Sequence, residues 1–311
     1  MTMHADEILV ATALVSELVA GRFPDLAGRP VHRVRSTGTV NAIFRVGEHH
    51  CVRMPLTADW AADLERELAW LPALAPHLPL RVPRPMGRGP ASTGYPHAWA
   101  LFDWIAGQPY AASLLDESTA AVELAGFVTA LRGIPVVGGE PPAGRAPLAS
   151  LDAETRAALR EADVLGLVDE VAALAAWDRA LAAPTFSGHE EGESDEAAVW
   201  IHADLLPPNV LVNGGRLAAV IDFGAVGVGD PAADVIPAWT MFGPAARATY
   251  RSALVVDDGT WARARGYALT QAALIVPYYV TTNPLFCEMA RRTIAAVIED
   301  ESPRQGPSQR F

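Results

Sequence analysis

Residues 202–224 read His202-Ala203-Asp204-Leu205-Leu206-Pro207-Pro208-Asn209-Val210-Leu211-Val212-Asn213-Gly214-Gly215-Arg216-Leu217-Ala218-Ala219-Val220-Ile221-Asp222-Phe223-Gly224. Short apolar runs at Val199–His202, Val210–Val212 and Ala218–Ile221 predict strands, and Asn213-Gly214-Gly215 predicts the turn between the last two. The stretch therefore reads as strand, loop, hairpin and a second acid. An Asp after a strand, an Asn five residues on and a further Asp-Phe-Gly are the residue types that phosphoryl transfer requires. That reaction needs alignment and charge neutralisation more than covalent help. Asp204 is the expected acceptor of the incoming hydroxyl proton. Asn209 and Asp222 offer hard oxygen ligands to Mg²⁺, which keeps several waters and needs few protein ligands. His202 is expected in the same catalytic loop as a brace.

Outward from this block, the first third of the chain mixes helix and strand. A helical pattern spans 6–20, and Val/Ile/Phe-rich runs at 31–35 and 40–54 break at Gly47-Glu48-His49. Leu64, Leu68, Leu71 and Leu74 form a helical stripe within 58–77. Pro79, Pro83, Pro85 and Pro90 end it, and His97–Ile105 reads as a buried strand. From about 116 the chain is mainly helical: one helix over 116–132, a Gly/Pro-rich loop over 133–150, two helices over 152–183 and more from 233 to 299. Ser302–Phe311 reads as a tail. The order predicts an α+β chain in which a small sheet-bearing lobe (1–105) covers the nucleotide and a larger, mainly helical lobe (106–311) carries the catalytic loop and acceptor site. The crevice between them is the natural nucleotide site.

Composition narrows the partners. The net charge of −12 argues against nucleic acid and permits a cationic small molecule. No apolar run reaches the ~18 residues of a membrane helix, and the N-terminus lacks the pattern of a signal peptide. Cys51 and Cys287 lie far apart, without metal-type spacing, which fits reduced thiols in the cytoplasm. No segment marks an obligate protein partner. All 24 basic residues are arginine.

His202–Val212, Ala219–Gly224 and Gly229-Asp230-Pro231-Ala232-Ala233-Asp234 resemble the aminoglycoside phosphotransferase family, as do Glu67–Pro72, Gly94-Tyr95-Pro96, Trp104–Gly107 and the segment from Trp261 to Pro284. The resemblance covers most of 30–300 and follows actinobacterial members. It implies a protein-kinase-like two-lobed fold with a small antiparallel-sheet N-lobe, and ATP-dependent (or GTP-dependent) O-phosphorylation of a small molecule. The family commonly has Gly where Ala203 stands. Protein kinases carry Arg there and an Ala-Pro-Glu after the second motif; both are missing, so a small acceptor is favoured over a protein.

The resemblance places Arg53 where a kinase strand lysine grips the α/β-phosphates. Arginine stays charged and offers paired donors. Glu67 is its expected partner, with Glu65 a rival. Ser36–Ala42 is the expected phosphate-covering loop, through Ser36, Thr37 and the single Gly38. Asp230 stabilises the catalytic region by resemblance and reads from its Gly-Asp-Pro setting as a turn or cap; Asp234 reads as structural too. The acceptor site is nearly silent: Trp239, Trp261, Tyr278, Tyr279, Asp257, Asp258, Glu288 and the acidic run Glu190–Glu193 are candidates. Aminoglycosides are the first expectation, ahead of other antibiotics (macrolides, nucleoside antibiotics) or a metabolite such as a sugar, amino alcohol or homoserine. A non-catalytic, pseudokinase-like nucleotide-binding module is the alternative from another class, favoured by the missing lysine and opposed by intact Asp204, Asn209 and Asp222.

Overall fold

The computed structural model describes residues 8–34, 40–186 and 198–301. The chain begins with helix α1 (Thr12–Arg22), then strands β1 (Val31–Arg33), β2 (Asn41–Val46) and β3 (His50–Pro55), helix α2 (Ala58–Leu74) and strands β4 (Pro85–Gly89) and β5 (Trp99–Asp103). These five strands form one antiparallel sheet in the order β1-β2-β3-β5-β4. Period-2 alternation in β2 buries Ala42, Phe44 and Val46 on one face. They pack with Val52, Met54, Trp99 and Leu101 against α1.

Thr57 caps α2 by accepting from the Trp60 N–H. The buried stripe of α2 is Leu64, Glu67, Leu71 and Leu74. A glutamate thus occupies a core position, where the sequence pattern placed Leu68. The predicted helix at 6–20 starts only at Thr12, because Ala11 is extended. The proline-rich passage contains β4, an edge strand with a register shift at Pro85/Gly87; an edge tolerates a residue without an N–H.

The rest is mainly helical. It runs through β6 (Gln108–Pro109), α3 (Glu117–Arg132), α4 (Asp152–Val164), α5 (Glu170–Leu181), β7 (Val199–Ile201), β8 (Val210–Asn213), β9 (Arg216–Val220), β10 (Gly227–Gly229), α6 (Pro237–Thr240), α7 (Pro244–Leu254), α8 (Asp258–Tyr279) and α9 (Pro284–Glu301). α8 runs through the centre of this part and packs on α4, α5 and α9. β8 and β9 form the predicted hairpin, with β6 added at its edge, and β10 pairs antiparallel with β7. β6 and β10 were not expected: two- and three-residue strands carry too little pattern to be read locally. Among the described residues no helix is long and apolar enough to cross a membrane.

One loop acts at the site. Pro141–Gly144 straps along β10: Val228 N–H donates to Pro141 O (2.9 Å), Ala143 N–H to Val228 O (3.0 Å) and Gly144 N–H to Ala225 O (2.9 Å). Gly227 makes room for the strap, since a Cβ there would lie 2.5 Å from the Ala143 nitrogen. Gly227→Ala is therefore expected to displace the strap and cost about 1–3 kcal/mol, read by chemical unfolding.

Candidate active site

β7 delivers the chain to His202, and the backbone then turns sharply. Ala203 has φ 67°, a left-handed conformation that costs a Cβ-bearing residue about 1–2 kcal/mol. Asp234, completely buried, holds the turn: its two oxygens accept the His202 N–H (2.7 Å) and the Ala203 N–H (2.8 Å). The Tyr250 hydroxyl donates to the Asp234 carbonyl (2.8 Å). Asp230 caps the following turn through the Ala232 N–H and pairs with Arg263. Both acids are structural, as the sequence suggested.

His202 is also completely buried. Its Nδ1 accepts the Asp204 N–H (3.2 Å), and its Nε2 lies 3.1 Å from the Ile221 carbonyl. Nε2 is the protonated nitrogen in this arrangement. Both ring nitrogens serve the backbone, so His202 is a brace between the Asp204 loop and the strand before Asp222.

Three side chains surround the Asp204 carboxylate. Asn209 Nδ2 donates to Oδ2 (2.8 Å), and Gln271 Nε2, from α8, donates to Oδ1 (2.8 Å). The Arg145 guanidinium lies 3.8 Å from Oδ1 and donates to the Ala203 carbonyl. Burial lifts the Asp204 carboxyl above its ordinary range; Arg145 is the main counterweight, and the Asp222 charge adds to the rise. A carboxylate can act as a base only in its ionised form. The acid limb of kcat/KM against pH is therefore expected above the ordinary aspartate value of 3.8, and Arg145→Gln should move it higher still. A limb that stays put in Arg145→Gln would refute this coupling.

Asn209 and Asp222 are brought side by side because the Ile221 N–H donates to the Asn209 carbonyl (2.8 Å). Asp222 is itself left-handed, with φ 69° and ψ 68°. Arg53 links it to the sheet: Nη2 donates to Asp222 Oδ1 (2.6 Å), and Nη1 donates to Glu67 Oε2. The guanidinium lies 5.5 Å from the Phe102 ring centroid. Arg53 is 8% exposed and Glu67 is fully buried, so neither is a surface charge. Burial opposes the Arg53 charge, but Glu67 and Asp222 more than compensate, and its pKa rises. Burial pushes the Glu67 carboxyl up, with Arg53 pulling it back. Glu65, the rival, is half exposed and pairs with Arg88.

A cavity of about 430 Å³ opens between the sheet and the β8–β9 hairpin. Ile43, Phe102, Ile105 and Leu211 give it apolar walls, and Arg53, Asn209 and Asp222 stand at its polar end. Its size suits a nucleotide. The donor set fits Mg²⁺ as well. Asn209 Nδ2 is committed to Asp204, which turns its Oδ1 away, and Asp222 supplies a carboxylate. Among the described residues no cluster of three or more His, Cys, Asp or Glu could hold a metal. An ion here would thus complete its shell with phosphate oxygens and water.

Ser36, Thr37, Gly38 and the Glu190–Glu193 run lie outside the described residues. The acceptor candidates scatter. Trp239 and Trp261 stack on each other in the core (4.5 Å between centroids), and Tyr279 packs on Phe286. Asp257 caps α8, Asp258 pairs with Arg251, and Glu288 pairs with Arg291 and Arg292. Tyr278 remains half exposed. Sequence reading missed Arg145 and Gln271. Neither stands at a fixed spacing from Asp204, so no local pattern marks them.

The model of the phosphotransferase enzyme family matches residues 32–267. No curated protein matches the chain. Among solved structures it is similar to the GDP complex of wild-type aminoglycoside 2′-phosphotransferase-IIIa (18% identity, 94% of this chain and 99% of that one, TM-score 0.69). It is also similar to the GDP and kanamycin complex of APH(2″)-IIIa (18%, 93% and 99%, 0.70) and to the apoenzyme of macrolide 2′-phosphotransferase MphH from Brachybacterium faecium (20%, 95% and 99%, 0.56). These likenesses carry the kinase-like fold, and the family match covers the catalytic loop, the Asp-Phe-Gly segment and the buried arginine pair together: the chain belongs to the phosphotransferase enzyme family, as its resemblance to the aminoglycoside phosphotransferases implied.

Proposed function

We propose that the protein is a Mg²⁺- and nucleoside-triphosphate-dependent O-phosphotransferase that acts on a hydroxyl of a small molecule. The observation that carries this reading is the meeting of Arg53, Asn209 and Asp222 at one end of a nucleotide-sized cavity, with the Asp204 carboxylate bonded to Asn209 beside it. Asp204 accepts the hydrogen bond of the incoming hydroxyl, aligns its oxygen and takes its proton. Asn209 and Gln271 fix the carboxylate, so little reorganisation accompanies transfer. Arg53 moves from Asp222 to phosphate oxygens while Glu67 keeps it in place. Magnesium held by Asn209 and Asp222 would neutralise the β- and γ-phosphate oxygens. In this reading residues 1–105 cover the nucleotide, and 106–311 carry the catalytic loop and acceptor site. Ser36, Thr37 and Gly38 belong to the covering loop.

ATP is the first donor to test and GTP the second, since complexes of the structural relatives contain ADP or GDP. Antibiotics are the first acceptor class, because those relatives are named as aminoglycoside and macrolide phosphotransferases. The two free cysteines fit a cytoplasmic site of action. The deciding experiment is mass spectrometry of the protein with ATP or GTP, Mg²⁺ and a mixed antibiotic and metabolite panel. A gain of one phosphate on any compound, lost without Mg²⁺, supports the reading. Nucleotide binding without transfer to any acceptor would favour the non-catalytic module.

A further inference from the structure

Resting on the phosphotransferase reading, a further step concerns the acceptor's charge. The two Asp204 oxygens face different neighbours. Oδ2 meets Asn209, on the metal side. Oδ1 meets Gln271, from α8, and Arg145, the residue that follows the strap on β10. Oδ1 therefore marks the side from which an acceptor approaches, and a guanidinium stands there. Between Asp204 and Asn209 the loop is Leu205-Leu206-Pro207-Pro208, without charge. Arg145 is thus the cation fixed at this carboxylate, 16% exposed at its side chain and held by the Ala203 carbonyl. Beside it the Gln271 Oε1 is buried without a hydrogen-bond partner among the described residues. A neutral O–H or N–H donor suits that oxygen, and its neighbour Arg145 disfavours an ammonium group there.

Among the described residues, Asp230 and the carboxylates named as acceptor candidates are already committed. Asp230, next to α8, receives two bonds from Arg263 (2.9 and 3.2 Å). Asp257 accepts from Thr260 at the start of α8, and Asp258 and Glu288 are paired with arginines. A compound bearing several ammonium groups needs carboxylates that are not yet balanced; Asp204 is already paired with Arg145, which repels a like charge about 4 Å away. We propose that the acceptor is a hydroxyl compound of low charge, with at most one positive charge, and that Arg145 and Gln271 set this preference.

The test compares initial rates of the whole protein with Mg²⁺ and the productive nucleotide on two acceptor sets. One holds neutral and singly charged compounds, a monobasic macrolide among them; the other holds polycations such as kanamycin and gentamicin. Low-charge acceptors are expected to show kcat/KM about 100-fold or more above the polycations. Arg145→Glu should shrink that ratio about ten-fold or more through acceptor KM, with nucleotide KM changing equally for both sets; a merely structural role would not move the ratio. The wild-type ratio alone decides if Arg145→Glu does not fold. Equal or better use of a polycation overturns the charge assignment and leaves the phosphotransferase reading standing. Failure to phosphorylate any compound, with nucleotide bound, overturns both.

Discussion

Asp204→Asn is expected to lower kcat by about 10³-fold or more while leaving nucleotide affinity within a few-fold of wild type. The substitution keeps the size of the side chain and one oxygen, so Asn209 or Gln271 retains a partner. It removes the charge that takes the hydroxyl proton in the proposed reaction. In the proposed reaction nucleotide binding rests on the cavity walls, Arg53 and Asp222, none of which changes. Single-turnover transfer and equilibrium nucleotide binding measure the two effects separately. Transfer at the wild-type rate would remove Asp204 from the chemistry. Asp222→Ala is the informative contrast, because it should lose Mg²⁺-dependent nucleotide binding as well as transfer.

Arg53→Ala is expected to act on stability and activity together. Glu67 is fully buried and faces Arg53 from a core position of α2. Removing the guanidinium leaves a buried carboxylate without its counter-charge, a loss of about 3–5 kcal/mol in chemical unfolding. The same change frees Asp222 and deletes the phosphate contact, so nucleotide KM should rise steeply. Arg53→Ala combined with Glu67→Leu should recover much of the stability and none of the nucleotide affinity. If Arg53→Ala unfolded at the wild-type midpoint, the buried pair would not be what joins α2 to β3. Arg53→Lys keeps the charge but cannot reach Glu67 and Asp222 with separate nitrogens, as Arg53 does at Nη1 and Nη2. It should therefore bind nucleotide more weakly than wild type. A gain of activity would instead mark arginine as a compromise for the missing lysine.

The pairing of Asp230 with Arg263, Asp257 with Thr260 and Glu288 with Arg291 bears on the net charge of −12. Net charge counts acids without saying which of them are balanced by a neighbour. An acidic chain invites the expectation of a cationic substrate; the proposed acceptor preference rests instead on the charges fixed beside Asp204.

The sequence by itself determined the parts whose chemistry is local. Asp204, Asn209 and Asp222 sit on one loop and one hairpin, so their spacing fixes their convergence once the strands form. The α+β order and the helices from α2 onward were legible for the same reason: strand and helix periods carry them. The Arg53–Glu67 pair came from the family resemblance, with Glu65 left as a rival. The tertiary structure alone decided what stands around them. Arg145 reaches Ala203 across 58 residues of chain, and Gln271 reaches Asp204 across 67. His202 became a brace because Ile221 lies against its ring, and Glu67 rather than Glu65 became the partner because the sheet buries that face of α2. Contacts between distant segments leave no periodic trace in a single chain; they appear only when helices and sheet are packed, and it is there that the acceptor side of this site is written.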